Sequence, residues 1–271
     1  MELKATVLAD NNGAEGTTEW GLSILIEYRG QKILLDVGAS GLFLENAARL
    51  GLTLEDVDYA VLSHAHYDHS DGMEPFFAHT RAKFYLRQGC GEDCYKRESL
   101  FRFRYLGLPK GILARYPDRF VMAGGDFSPS PGVTLVPHKT PGLSAVGKAE
   151  RMYRKVPFGY RYDDFAHEQS LVFETEGGLV VFNSCCHGGA DVIVREVEAT
   201  FPGKKVRALI GGLHLFNKSE EQVRSFARRV KATGLQALYT GHCTGKVAYD
   251  LLAEELGERV HPLSVGLVIT F

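Results

Sequence analysis

The chain has no strong excess of either charge. Its 31 basic and 33 acidic side chains give a formal net charge of −2 and a pI of about 6.6. That balance offers no broad electrostatic footprint for nucleic acid or an anionic membrane, and neither partner is expected. Long apolar runs are also missing. None approaches the roughly 20 residues that cross a bilayer. The opening stretch MELKATVLAD carries an acidic residue at once and no apolar h-region, so no signal peptide is expected. Cysteine is sparse, with five in 271 residues. An odd number in a chain too large to need disulfide staples points to a reducing, cytoplasmic compartment. Cys90 and Cys94 lack the second ligand pair that a structural zinc site requires. They read as ordinary thiols at helical spacing. There is no internal repeat, low-complexity tract or linker, so residues 1–271 are read as one domain.

Short apolar strands dominate the first third: LKATVLA, LSILIEY and KILLDVG, the last two joined by a tight turn at Arg29-Gly30-Gln31. LFLENAARLG has helical spacing with Gly51 as its stop. DYAVLS and AKFYLR read as further strands. SLVFETEGGLVVFNS at 170–184 reads as a hairpin turning at Glu176-Gly177-Gly178, and VRALIGG and LQALYTG follow as buried strands. SEEQVRSFARRVKATG opens with a Ser-x-x-Gln capping box and carries Val223, Phe226, Ala227 and Val230 on one stripe. Hairpins mixed with βα units predict sheets with helices packed outside. The interleaved basic and aromatic residues of 88–125 have no clean period and predict a lid or insertion. A second irregular stretch, 137–169, carries Lys148, Arg151, Arg154 and Lys155.

The densest chemistry is VLSHAHYDHS at 61–70. His64 and His66, two apart in extended chain, point the same way and can grip one ion. Asp68 and His69 follow and can face a second. Imidazole and carboxylate suit zinc, with iron and manganese also compatible. Three later histidines leave apolar strands beside glycines: His187 in VVFNSCCHGG, His214 in ALIGGLHLF and His242 in ALYTGHCTG. His167 precedes a strand and is a further candidate ligand. Asp36, closing ILLDVG, is placed to ligate or to orient a histidine ring. His79, His138 and His261 read as structural or surface residues.

With these motifs assembled, the sequence resembles the metallo-β-lactamase fold superfamily. His64, His66, Asp68 and His69 meet its H-x-H-x-D-H signature, Asp36 its upstream strand aspartate, and Tyr239 to His242 its terminal strand–Gly–His element. The resemblance implies an α+β fold, a four-layer αββα sandwich of two mixed β-sheets, with a dinuclear metal site at one edge. Two departures stand out. Leu143 occupies the usual histidine position of a Pro-Gly-His turn, a role His167 could take. Cys185 stands near the place of the usual bridging aspartate. Gly211-Gly212-Leu213-His214-Leu215 and Gly241-His242-Cys243-Thr244-Gly245 resemble the subgroup labelled 7,8-dihydropterin-6-methyl-4-(β-D-ribofuranosyl)aminobenzene-5′-phosphate synthase.

The resemblance implies a metal-dependent hydrolase using an activated water on an ester-like or phosphoryl centre of a small anionic molecule. His64, His66 and His187 would hold one ion, and Asp68, His69 and His242 the other, with two zinc ions expected and iron or manganese as alternatives. His167 could replace or supplement His187. Asp68 would steer the attacking water, and His214 would act as acid or contact substrate. Cys185 is a further candidate ligand. Arg97, Arg102, Arg104 or the 148–155 cluster could neutralise an anionic substituent. The subgroup label implies an alternative, a transferase releasing pyrophosphate. A non-catalytic metal-binding or sensing module is a third reading. A small-molecule substrate is the expected partner, and self-association into a homo-oligomer is compatible with the sequence.

Overall fold

The computed structural model describes residues 2–271. Two seven-stranded sheets stack face to face, and a smaller four-stranded sheet sits beside them. The first sheet runs in space Val268–Thr270, Leu3–Ala9, Ser23–Tyr28, Gln31–Leu35, Tyr59–Val61, Lys83–Arg87, Phe120–Ala123. Its first four strands are antiparallel neighbours and the rest are added in parallel. The second runs Val260–Pro262, Ala237–Thr240, Val206–Ile210, Gly178–Phe182, Gln169–Thr175, Val133–Pro137, Phe127–Ser130. It too joins a parallel half to an antiparallel half. Both sheets are mixed, as expected.

The period-two pattern of the strands decides the layers. Leu3, Ala5 and Val7 alternate onto the inner face, where they meet Ile24, Ile26, Leu171, Phe173, Val180 and Phe182. Their neighbours Leu8, Leu25 and Leu34 face outward and are covered by Phe43, Ala47, Met73 and Phe76 of the helices Leu42–Arg49 and Met73–His79. On the other outer face, Val172, Val181 and Leu209 pack under Ala190–Thr200, Glu220–Ala232 and Lys246–Leu256. The result is the αββα order. The capping box is formed: the Gln222 N–H donates to Ser219 Oγ at 3.3 Å and Ser219 N–H donates to Gln222 Oε1 at 2.9 Å. The expected stripe of Val223, Phe226, Ala227 and Val230 is buried.

The two irregular stretches find each other. Cys94–Arg97 and Phe103–Tyr105 from one pair with Met152–Val156 and Gly159–Tyr162 from the other as an antiparallel sheet. Of the stretch 88–125, its last part, Phe120–Ala123, is not insertion but the edge strand of the first sheet. The helical reading of Cys90 and Cys94 is also corrected. Cys94 opens a strand and Cys90 lies in the turn before it, because pairing with Arg154 overrides local spacing. Among the described residues, no helix is long and apolar enough to cross a membrane.

Phe173 packs its ring on Tyr28 and Phe182 in the middle of the inter-sheet layer, with centroids at 5.0 and 5.6 Å. Phe173→Ala should therefore cost about 3–5 kcal/mol of stability in a denaturant melt; a loss below 1 kcal/mol would show that the inter-sheet layer is not the main core.

Candidate metal centre

Strand ends of both sheets meet at one rim, and the histidines sit there. Tyr59–Val61 runs out at Leu62, and the chain passes through His64 and His66 into the one-turn helix Tyr67–Ser70, which carries Asp68 and His69. Gly178–Phe182, Val206–Ile210 and Ala237–Thr240 deliver Cys185 and His187, His214, and His242. Close approach needs glycine here. A side chain at Gly211, which has φ +143°, would overlap the Asn183 carbonyl, and one at Gly212 would strike Cys243 Sγ. Non-glycine residues with left-handed backbone also gather at this rim: Asp36, Phe165, Cys186, His214 and His242. Such conformations cost energy and persist where the surroundings impose them.

The rings converge. Centroid separations are 4.5 Å for His64–His66, 5.0 Å for His64–His187 and 5.0 Å for His66–His187. His69 lies 4.9 Å from His242. The Nε2 atoms of His64, His66 and His242 and both ring nitrogens of His187 are buried without hydrogen-bond partners. A buried polar atom left unpaired costs about 1–3 kcal/mol, so this concentration is the signature expected of ligands waiting for a cation. His64, His187 and Cys185 bring their donor atoms within 4.8 Å of one another, and so do His69, His242 and Cys185. Cys185 Sγ is common to both groups, 3.3 Å from His69 Nε2. Asp68 Oδ2 sits 3.4 Å from His242 Nε2 and 3.8 Å from His69 Nε2, and accepts the Trp20 indole N–H at 2.9 Å. The donor set of buried imidazoles, a thiol and a carboxylate is of a kind that suits a divalent cation, with His64 and His187 on one side of Cys185 and His69 and His242 on the other, His66 beside the first pair and Asp68 beside the second.

Hydrogen bonds fix which nitrogen each ring presents. Asp36, fully buried, accepts from Ser63 N–H at 2.7 Å, from Ser63 Oγ at 2.6 Å and from His69 Nδ1 at 2.8 Å. Because the Ser63 hydroxyl donates to Asp36, its oxygen accepts from His64 Nδ1 at 2.8 Å. Both histidines therefore turn bare Nε2 atoms to the site. Asp36 orients ligands rather than being one. His242 Nδ1 meets Asn11 Oδ1 at 3.1 Å and its backbone N–H donates to Asp10 at 3.0 Å. Burial pushes His64 and His187 well below the ordinary histidine range, and takes His66 down to about 3, with the neighbouring imidazoles adding to it. All three stay neutral, as metal ligands must.

His167 is placed differently from the ligand role considered for it. Its Nδ1 accepts the Ala65 N–H at 3.1 Å, and its Nε2 faces Asp163 at 3.1 Å and Cys94 at 3.6 Å. Its contacts brace the 64–66 loop from behind, and with His66, Cys94 and Asp163 it forms a separate buried group whose donor atoms lie within 4.8 Å of one another, apart from the group of His64, Cys185 and His187. His214 has two unpartnered ring nitrogens and stands 4.5 Å from His187, with Glu150 Oε2 at 3.6 Å. It separates a cavity of about 210 Å³ over the centre from an adjoining chamber of about 600 Å³. Arg154 is buried on Asp93 and the Gly89 carbonyl and is structural.

Four contributors escaped the sequence reading: Asp10, Asn11, Trp20 and Glu168. Asp10 carried a usable signal, since it leaves its strand as Asp36 does. Glu168 accepts the N–H groups of His187 and Gly188 and receives His138 Nε2 at 2.5 Å, while His138 Nδ1 reaches Glu196 at 2.9 Å. His138 is indeed structural, and more: although burial works against it, the two carboxylates raise it to about 10.

Two outcomes follow from these contacts. Asp36→Asn keeps a residue that tolerates the left-handed backbone but presents a donor to Ser63 and His69; equilibrium dialysis should show metal affinity falling about 10–100-fold at both positions. Loss at only one would break the assignment of Asp36 to both halves. The His138 proton adds stability in full below its unfolded value near 6.5 and loses it as pH rises through about 10. Thermal melts should therefore fall from pH 7 to 10. His138→Gln should flatten that slope and cost about 3–5 kcal/mol at pH 7; an unchanged slope would remove the network from the stability account.

Residues 20–148 match the family described as the metallo-beta-lactamase superfamily. The chain is 27% identical to the 7,8-dihydropterin-6-methyl-4-(beta-D-ribofuranosyl)-aminobenzene-5′-phosphate synthase of Methanocaldococcus jannaschii, over 99% of this chain and 97% of that protein. It is 28% identical to ribonuclease Z of Methanopyrus kandleri, over 89% and 87%. The crystal structure of a metal-dependent hydrolase of the β-lactamase superfamily superposes with a TM-score of 0.82 at 25% identity, covering 99% of both chains. Together with the sandwich and its rim of histidines, these similarities show that the chain has the metallo-β-lactamase fold.

Proposed function

We propose that the chain is a metal-dependent hydrolase acting on an ester-like or phosphoryl centre of a small anionic molecule. The observation that carries this is the set of buried, unpartnered nitrogens on His64, His66, His187 and His242, with Asp68, His69 and Cys185 completing two adjacent ligand groups. His64, His66 and His187 would hold one divalent ion, and Asp68, His69 and His242 the other. Cys185 would lie between them as a shared ligand. A thiolate beside imidazoles favours zinc over iron or manganese. Bound there, the ions would supply Lewis acidity and a water that is nucleophilic near neutral pH.

The chain's own residues do the rest. Asp68, held by the Trp20 indole, presents its carboxylate beside His69 and His242 and can accept the proton of the attacking water. Trp20 and Phe216 pack edge to face at 5.4 Å and wall the mouth, which keeps bulk water from the reacting centre. His214, at the junction of the two cavities, can donate to a leaving group.

A transferase reading has one observation in its favour. The full-length similarity to a synthase coincides with a second chamber of about 600 Å³ meeting the centre at His187 and His214. A second organic reactant needs such room, and a hydrolase does not.

Elemental analysis should find about two transition-metal ions per chain, with His64→Ala and His187→Ala each losing at least one. Full metal content in both variants would refute the site. A screen of phosphodiesters, phosphomonoesters, thioesters and lactones with pyrophosphate detection separates the two readings: release of pyrophosphate only with a second reactant supports the transferase, and turnover with water alone the hydrolase. Metal binding without turnover on any class would favour a sensing module.

A further inference from the structure

The four-stranded sheet supplies one wall of the 210 Å³ cavity, contributing Lys96, Arg104 and Met152, while His66, Asp68, Cys185, His187 and Cys243 line its deep side. Lys96 and Arg104 are directly opposite each other in the register between Cys94–Arg97 and Phe103–Tyr105. Cross-strand partners of like charge repel and destabilise a strand pair unless something lies between them. Little in the protein compensates them. Arg104 Nε reaches Glu98 at 3.2 Å, but Glu98 also serves Arg102 at 2.9 Å, so one carboxylate answers two guanidinium groups. Lys96 is half-buried and pairs with no carboxylate among the described residues. Glu150, on the far side of His214, is already taken by Lys218 and Asn217. Burial and repulsion from Arg104 and Arg151 hold the Lys96 ammonium below its ordinary value, as expected of a cation short of a counter-charge.

We infer that Lys96 and Arg104 form a clamp for an oxyanion, a phosphate or carboxylate substituent that the substrate carries next to the bond broken at the centre. The guanidinium offers a planar fork and the ammonium a point charge, a combination suited to such a group. Arg97 and Arg102, equally basic in sequence, do not line this cavity. The inference rests on the metallohydrolase reading for the reaction, but not for the binding.

Isothermal titration of the protein as isolated, with inorganic phosphate and separately with acetate, tests it. Wild type should bind at least one of the two, and the tighter one identifies the substituent. Lys96→Gln and Arg104→Gln should each weaken that binding at least tenfold, with metal content and melting temperature unchanged, while Lys96→Arg stays within threefold. Lys96→Met, uncharged and suited to a half-buried site, repeats the test where glutamine perturbs folding. No binding of either anion by wild type, or unchanged binding in the neutral variants, overturns the clamp. Absence of metal in wild type would instead defeat the hydrolase reading, and a tenfold loss in Lys96→Gln would still support the clamp.

Discussion

Both halves of the candidate metal centre hang on the buried carboxylate of Asp36. Through Ser63 it sets His64, and directly it sets His69, so one group fixes a ring in each of the two ligand sets. A carboxylate with no solvent exposure is costly unless its lone pairs are filled. Here three donors fill them at 2.6–2.8 Å. The left-handed turn at Asp36 is what aims the carboxylate at the 63–69 segment rather than along its own strand. The strain of that turn and the burial of the charge are both offset by the same three hydrogen bonds. The two ligand sets therefore cannot be tuned independently.

The second sheet solves the same problem with another buried charge. Glu168 ties down the N–H groups of His187 and Gly188, and His138, bridging Glu168 to Glu196, anchors that grip to the helix Ala190–Thr200. Each rim is thus braced by an ionic group on its own sheet. What brings the rims together is apolar: the layer of Leu171, Phe173, Phe182 and Ile24 between the sheets. Polar groups set angles within each half, and hydrophobic packing sets the distance between halves.

This division explains what could be read from the sequence. Strand and helix patterns carry periodicity, so sheets with helices packed outside were legible, as were the strand-exit histidines and the capping box at Ser219, while the four-layer order followed only from the family resemblance. The 61–70 cluster announced itself because ligands two apart in extended chain need no tertiary information. Contacts made across the fold left no such trace. Glu168 and Trp20 act on residues far away in sequence, and nothing near them distinguishes them from ordinary surface or core positions. His167 was read as a candidate ligand, and its contacts with the Ala65 N–H and Asp163 are visible only in the packed structure. The pairing of 94–97 with 152–156 was hidden for the same reason: each segment is irregular alone and becomes a strand only against the other.

The position of Cys185 gives the site its electrostatic character. Of the side chains facing the two candidate cation positions, only Asp68 and a Cys185 thiolate would bring negative charge, since an imidazole that binds a metal does so in its neutral form. Two divalent ions held by that set would leave about two positive charges unneutralised. The wall opposite adds Lys96 and a partly compensated Arg104. Cys243, with its Sγ 3.4 Å from Cys185, can share the same proton and does not add a second full charge while it does so. A low-dielectric pocket with that excess is most stable when an anion enters it. A Cys185 thiolate near the place of the usual aspartate would leave that charge count unchanged, so it is the pairing of two cations on a separate sheet that would raise the positive potential over the candidate centre and favour a negatively charged substrate.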